Sequence, residues 1–191
     1  MRNICGLAVA KRRFCHIINI LESIDRTERA AVSIGTMRVH MEGTLSGGYL
    51  GHISYYLALR EPCRNLWIRL QYRRDQLKTR TASQTEAIAG ALAQNLGRSP
   101  QPAEVDRAAA SMKTELSLAA FLDGRFIGGC HRPGSELVLR FAPGYATQGG
   151  CPQNELQGVL RVNIIAFNVL YDGTPYRLDV AAGEESDVPQ D

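Results

Sequence analysis

Residues 64–80 read Arg-Asn-Leu-Trp-Ile-Arg-Leu-Gln-Tyr-Arg-Arg-Asp-Gln-Leu-Lys-Thr-Arg. Leu66, Ile68, Leu70 and Tyr72 fall on one side of a two-residue alternation, and Trp67, Arg69, Gln71 and Arg73 on the other. That period is the mark of a strand with one buried face. The second face combines an indole with several guanidinium groups, a pairing suited to an anionic, aromatic partner.

Upstream, the same period recurs. Residues 32–41 read as a strand with Met37, Val39 and Met41 inward and Arg38, His40 and Glu42 outward. Residues 51–60 read as another, with Ile53, Tyr55, Leu57 and Leu59 inward and His52, Ser54, Tyr56, Ala58 and Arg60 outward. Ser46-Gly47-Gly48 and Glu61–Asn65 supply turns between them. The simplest arrangement is a meander over residues 30–74. Its outer face would carry Arg38, His40, Tyr56, Arg60, Trp67, Arg69 and Arg73. Residues 1–24 place Phe14, Ile17, Ile18, Leu21 and Ile24 at helical spacing and are expected to form a helix.

Downstream the period changes to that of helices over about 83–113. Ser83 and Glu86 match a capping box, Gly97 suits a helix stop and Pro102 a helix start. Leu96–Val105 resembles the lead-in to the helix-turn-helix of bacterial sigma factors. Over this run alone the likeness implies helix punctuation, because no recognition helix follows.

Alternation returns at Leu116, Leu118, Ala120 and Leu122, and Asp123-Gly124 signals a hairpin into Phe126-Ile127. Glu136–Phe141 is a further short strand. Residues 159–171 are apolar on both sides, as a strand covered by two layers would be. Asp172-Gly173 reads as a second hairpin, leading into Tyr176–Val180. The expected fold is therefore α+β. It is mainly antiparallel β, a sandwich or a partly open barrel, with an inserted helical hairpin. One domain covers 1–183, and 184–191 forms an acidic disordered tail.

The charge is unevenly distributed. Residues 1–83 hold 14 Lys/Arg against 6 Asp/Glu, and residues 84–191 hold 8 against 13, so +8 and −5 make the overall +3. Such a division implies an anionic partner for the first half or docking between the halves. Five cysteines without a Cys-x-x-Cys pair argue against a disulfide framework or a Cys-rich zinc site, and make reduced thiols and a cytoplasmic location the expectation. No run approaches the roughly 18 apolar residues that span a bilayer, and Ile4–Ala10 is too short for a secretory signal. No membrane partner and no cofactor is expected.

Arginines neutralise phosphates and aromatic rings stack on unpaired bases. Arg60, Arg64, Trp67, Arg69, Arg73, Arg74, Lys78 and Arg80 are thus the candidate contact surface for single-stranded nucleic acid, read with little sequence specificity. A structural or assembly subunit, self-associating through its basic and acidic halves, is the alternative. A third reading is a small-molecule site or enzyme built on the Gly-rich loops 128–135 and 142–152, with Cys130, His131 and Cys151 beside them. The histidines lack metal spacing, and Gly144–Gly150 lacks the Gly-Lys-Ser/Thr ending of a phosphate loop.

Overall fold

Strands form where apolar side chains recur every second residue, because only an extended backbone puts that pattern on one face. The computed structural model describes residues 36–184 and Pro189. The helix expected over residues 1–24 lies outside the described residues. In chain order the elements are β1 (Met37–Leu45), β2 (Gly51–Cys63), β3 (Asn65–Tyr72), α1 (Ala82–Leu96), α2 (Pro102–Ser111), β4 (Glu115–Leu122), β5 (Arg125–Cys130), β6 (Glu136–Ala142), β7 (Tyr145–Ala146), β8 (Leu156–Asn168) and β9 (Thr174–Gly183).

The fold is α+β, with two antiparallel sheets that do not close into a barrel. One sheet has the order β1-β9-β3-β6-β7 and the other β2-β8-β4-β5. The pairs β1·β9, β2·β8, β3·β6 and β4·β5 are nested. It is as if one long antiparallel hairpin had been folded over, bringing β9 beside β3 and β8 beside β4. That connectivity is a jelly roll. The sandwich core receives Ile68, Leu70, Leu137, Leu139 and Leu178 from the first sheet and Leu116, Leu118, Leu160 and Ile164 from the second. Removing each such side chain from water stabilises the fold by about 1.5–3 kcal/mol.

This pairing corrects the expected meander. β1, β2 and β3 are not neighbours: β9 separates β1 from β3, and β2 belongs to the opposite sheet. The Ser46-Gly47-Gly48 and Asp172-Gly173 turns are likewise not hairpins but arches between the sheets. They pack on each other, Gly47 N–H donating to Asp172 Oδ1 (2.7 Å) and Gly48 N–H to Val169 O (2.7 Å). Asp123-Gly124 does form the expected tight hairpin, with both residues at positive φ (47° and 79°).

The helical hairpin is inserted between β3 and β4. Its base is closed by an antiparallel bridge between Gln76 and Lys113. The capping box on α1 uses Thr81 and Gln84, two residues earlier than Ser83 and Glu86. Gly97 ends α1 in the left-handed region at φ 66°, and Pro102 begins α2. α2 buries Val105 and Ala109, whereas no α1 residue is fully buried. Neither helix is long and apolar enough to cross a membrane.

Candidate binding faces of the two sheets

The outer face of the first sheet is ordered in rows by strand register. One row runs Arg38, Ala181, Trp67, Arg140; the next His40, Asp179, Arg69, Val138; the next Glu42, Arg177, Gln71, Glu136. Asp179 is the hub. It accepts from His40 Nδ1 at 2.7 Å, Arg69 at 3.2 Å and Arg177 at 3.1 Å. Partial burial pushes the Asp179 carboxyl up, but the hydrogen bonds from His40, Arg177 and Arg69 outweigh it, and its pKa falls below the ordinary carboxylate value. His40 bridges two carboxylates, with Glu42 2.9 Å from Nε2. The bond to Asp179, then that to Glu42, raises its pKa.

The β3 residues singled out from the sequence are not gathered into one cationic surface. Trp67 faces outward yet is only 7% exposed, with the Arg69 guanidinium 5.0 Å from its ring centroid. Arg69 is held by Asp179 and lies 3.9 Å from Glu136. Arg73 pairs with Asp75 at 2.8 Å, and Arg80 pairs with Asp106 on α2. Arg74 is half-buried and Lys78 exposed in the segment leading to the helices. Arg64 is exposed at the β2–β3 turn, its N–H bonded to Gly183 O. Arg60 and Tyr56 project from β2, on the opposite side of the sandwich. Part of the charge division is thus satisfied inside the molecule: Arg69 of the first half meets Asp179 and Glu136 of the second, and Arg80 meets Asp106.

The outer face of the second sheet differs. Its rows run Leu50–Phe167 by continuation of the β2·β8 register, then His52, Ile165, Ser117; Ser54, Asn163, Ala119, Gly129; Tyr56, Arg161, Phe121, Phe126; and Ala58, Val159. Leu50, Tyr56, Phe126, Val159 and Phe167 are 71%, 49%, 53%, 47% and 51% exposed. β8 is therefore not covered on both sides, as its apolar sequence implied; its second face meets solvent. Arg161 lies flat on Phe121, 4.1 Å from the ring centroid, and Phe121 meets Phe126 edge-on at 5.5 Å. These residues escaped the sequence reading. The polar Arg161 and Asn163, two apart within an apolar run, were the signal that one side of β8 is covered by no layer among the described residues.

Residues 128–130, expected in the first Gly-rich loop, are the end of β5, and residues 145–146 of the second form β7; the two stretches nevertheless approach one another. Gly128 bridges Gly150, and Cys151 N–H donates to Ile127 O at 2.9 Å. His131, however, packs edge-on against Phe167 and lies 3.9 Å from Glu115. An open groove of about 670 Å³ lies elsewhere, on the first sheet, lined by Glu42, Gln71, Arg73, Glu136 and Arg177 among others. Among the described residues no cluster of three or more His, Cys, Asp or Glu is arranged to hold a metal ion.

The model of a family of unknown function, DUF6669, matches residues 37–187, from the first residue of β1 to beyond the end of β9. No curated protein matches the chain.

Proposed function

The chain belongs to the DUF6669 family, and we propose that it is an assembly subunit, self-associating through the outer face of the β2-β8-β4-β5 sheet. One observation carries this reading: Leu50, Tyr56, Phe126, Val159 and Phe167, each about half exposed or more, share that single face. Leu50 and Phe167 lie toward one end of the face and Tyr56, Phe126 and Val159 toward the other, and exposed apolar side chains gathered on one face are costly in water and characteristic of association sites. A second copy is the occupant that such a face fits. Two sheets stack face to face at about 10 Å spacing, and a two-fold axis makes one patch complementary to itself. The cations of the opposite sheet argue against the charge-driven contact expected from the two halves, because carboxylates of the same molecule already neutralise Arg69, Arg73 and Arg177.

The test is light scattering on the purified chain across concentration and salt. A dimer that persists in high salt and is lost in a Phe126→Ser, Val159→Asp double variant is the expected result. A native chain that is monomeric at every concentration overturns the proposal.

A second reading keeps nucleic acid as the partner but moves it to this same face. What favours it is the row Tyr56, Arg161, Phe121, Phe126, in which a cation stands among three aromatic rings. Bases stack on such rows, each contributing about 1–3 kcal/mol. Titration with a single-stranded oligothymidylate separates the readings. Binding that falls in Phe126→Ala and Arg161→Ala variants favours nucleic acid. No binding by a chain that dimerises leaves the assembly reading alone.

A further inference from the structure

The rim of the β2-β8-β4-β5 sheet poses a separate question: what completes its hydrogen bonding. An edge strand presents a row of N–H and C=O groups that a further strand can satisfy, and natural edges are blunted by charge, proline, bulges or shortness. Three of the four edge strands are blunted or covered in some such way. β1 bears Arg38, His40 and Glu42 at alternate positions, and β7 has two residues. β5 has six, and is bridged at Gly128 to Gly150. β2 differs. It has 13 residues, and among the described residues its one strand partner is β8. Toward its ends side chains reach its carbonyls, the Tyr49 hydroxyl donating to His52 O and Gln157 Nε2 to Arg60 O, each at 3.1 Å. The register breaks after Leu59, where Arg60, Glu61 and Pro62 follow. Between these ends, Ile53-Ser-Tyr-Tyr-Leu-Ala-Leu59 runs in unbroken register with β8, without charge, proline or glycine. Its tyrosines and isoleucine favour strand structure.

We propose that residues 53–59 of β2 pair antiparallel with the same residues of a second copy, joining two sheets edge to edge. The proposal rests on the assembly reading above and adds a second contact to it. A two-fold axis perpendicular to the sheet at Tyr56 makes the stretch complementary to itself. On the inner side Ile53 then faces Leu59 of the second copy, and Tyr55 faces Leu57. On the outer side Ser54 faces Ala58, and Tyr56 faces its own counterpart. Apolar thus meets apolar inside the sandwich, small meets small outside it, and the half-exposed Tyr56 ring gains an aromatic neighbour. The axis of the face-to-face contact lies parallel to the sheet, and this one stands perpendicular to it. Used together, the two contacts close a tetramer where the axes cross and build an open fibre where they do not.

Sedimentation velocity of the native chain over a concentration series should show the dimer giving way to tetramers or longer species. Oxidising a mixture of Ile53→Cys chains and Leu59→Cys chains should link positions 53 and 59, identified by mass spectrometry of the joined peptides. Neither variant alone should link to itself at these positions. Ile53 and Leu59 pack inward on the core, so contact between outer faces cannot bring them together. Amide hydrogen exchange of the native chain decides the matter if a cysteine variant fails to fold: residues 53–59 should become several-fold better protected as the larger species form. A monomer at every concentration overturns both readings. A dimer that the Phe126→Ser, Val159→Asp variant abolishes, with no 53–59 link and unchanged exchange, overturns the edge pairing alone, and so do larger species that lack the link.

Discussion

Arg69 on β3 holds Asp179 on the adjacent strand β9 at 3.2 Å, across 110 residues of sequence. A cation of the basic half thereby meets a carboxylate of the acidic half within one sheet. Asp179→Asn keeps the shape of the side chain and removes the charge that Arg69, Arg177 and His40 share. A loss of about 1–3 kcal/mol is expected from leaving these partners under-satisfied. Urea unfolding checks it: a midpoint equal to that of the native chain would mean that the hub contributes nothing.

The same hub makes stability depend on pH. The folded pKa of His40 lies above its ordinary value of 6.5, so its contribution is complete below that pH. It is lost as pH rises through the raised folded value. For Asp179 the folded pKa lies below the ordinary 3.8, so its contribution is complete above that value and is lost as pH falls through the lowered one. Thermal unfolding followed against pH should decline on both sides, and His40→Gln should remove the decline on the alkaline side while leaving the acid side. An unchanged alkaline limb in that variant would assign it to another group.

Buried hydroxyls give a double-mutant test. Tyr55 and Tyr176 meet oxygen to oxygen at 2.7 Å between the two sheets. Either single change to Phe strands the remaining hydroxyl and is expected to cost about 1–3 kcal/mol. The double change removes both polar groups and should cost less than the two single changes added together. Additive costs in chemical denaturation would show that the hydroxyls do not depend on each other.

Two glycines should respond in opposite directions. Gly158 sits at φ +113°, and a methyl group there would run into the Asp123 carboxylate, which accepts from Val159 N–H at 2.8 Å. Gly158→Ala is expected to destabilise by about 1–3 kcal/mol. Gly90 lies in the exposed middle of α1 with open space around it, and Gly90→Ala should stabilise the helix by about 0.5–1 kcal/mol. Differential scanning calorimetry of the pair checks both signs.

Local order was readable from the sequence, and partnership was not. The alternation at Leu66, Ile68 and Leu70 and the Gly97–Pro102 punctuation each act within a few residues, so strands and helices could be recognised there. Which strand lies beside which depends on nested pairs such as His40–Asp179, whose register no local signal encodes. Ser46-Gly47-Gly48 illustrates the difficulty: glycine permits a reversal but does not specify whether the chain returns in the same sheet or in the other. The candidate surface suffered likewise. The arginines of β3 were visible, but Asp179 and Glu136 opposite them required the register. Val159 and Phe167 belong to a run that is apolar on both sides and reads as core, whereas no layer among the described residues covers them.

The bridge between Gln76 and Lys113 has a consequence for how the sequence is partitioned. The chain leaves the sandwich at Gln76 and re-enters opposite it at Lys113, the two strands of the neck being held by Leu77 N–H to Met112 O and Thr114 N–H to Asp75 O, so the sheets experience the whole helical excursion as though it were a tight reversal. Replacing residues 77–112 by a short Asn-Gly link should therefore yield a smaller protein with the same sandwich, identifiable by a near-unchanged β signature in circular dichroism. The jelly roll is, in that sense, a continuous scaffold from which the helices can be cut without opening it.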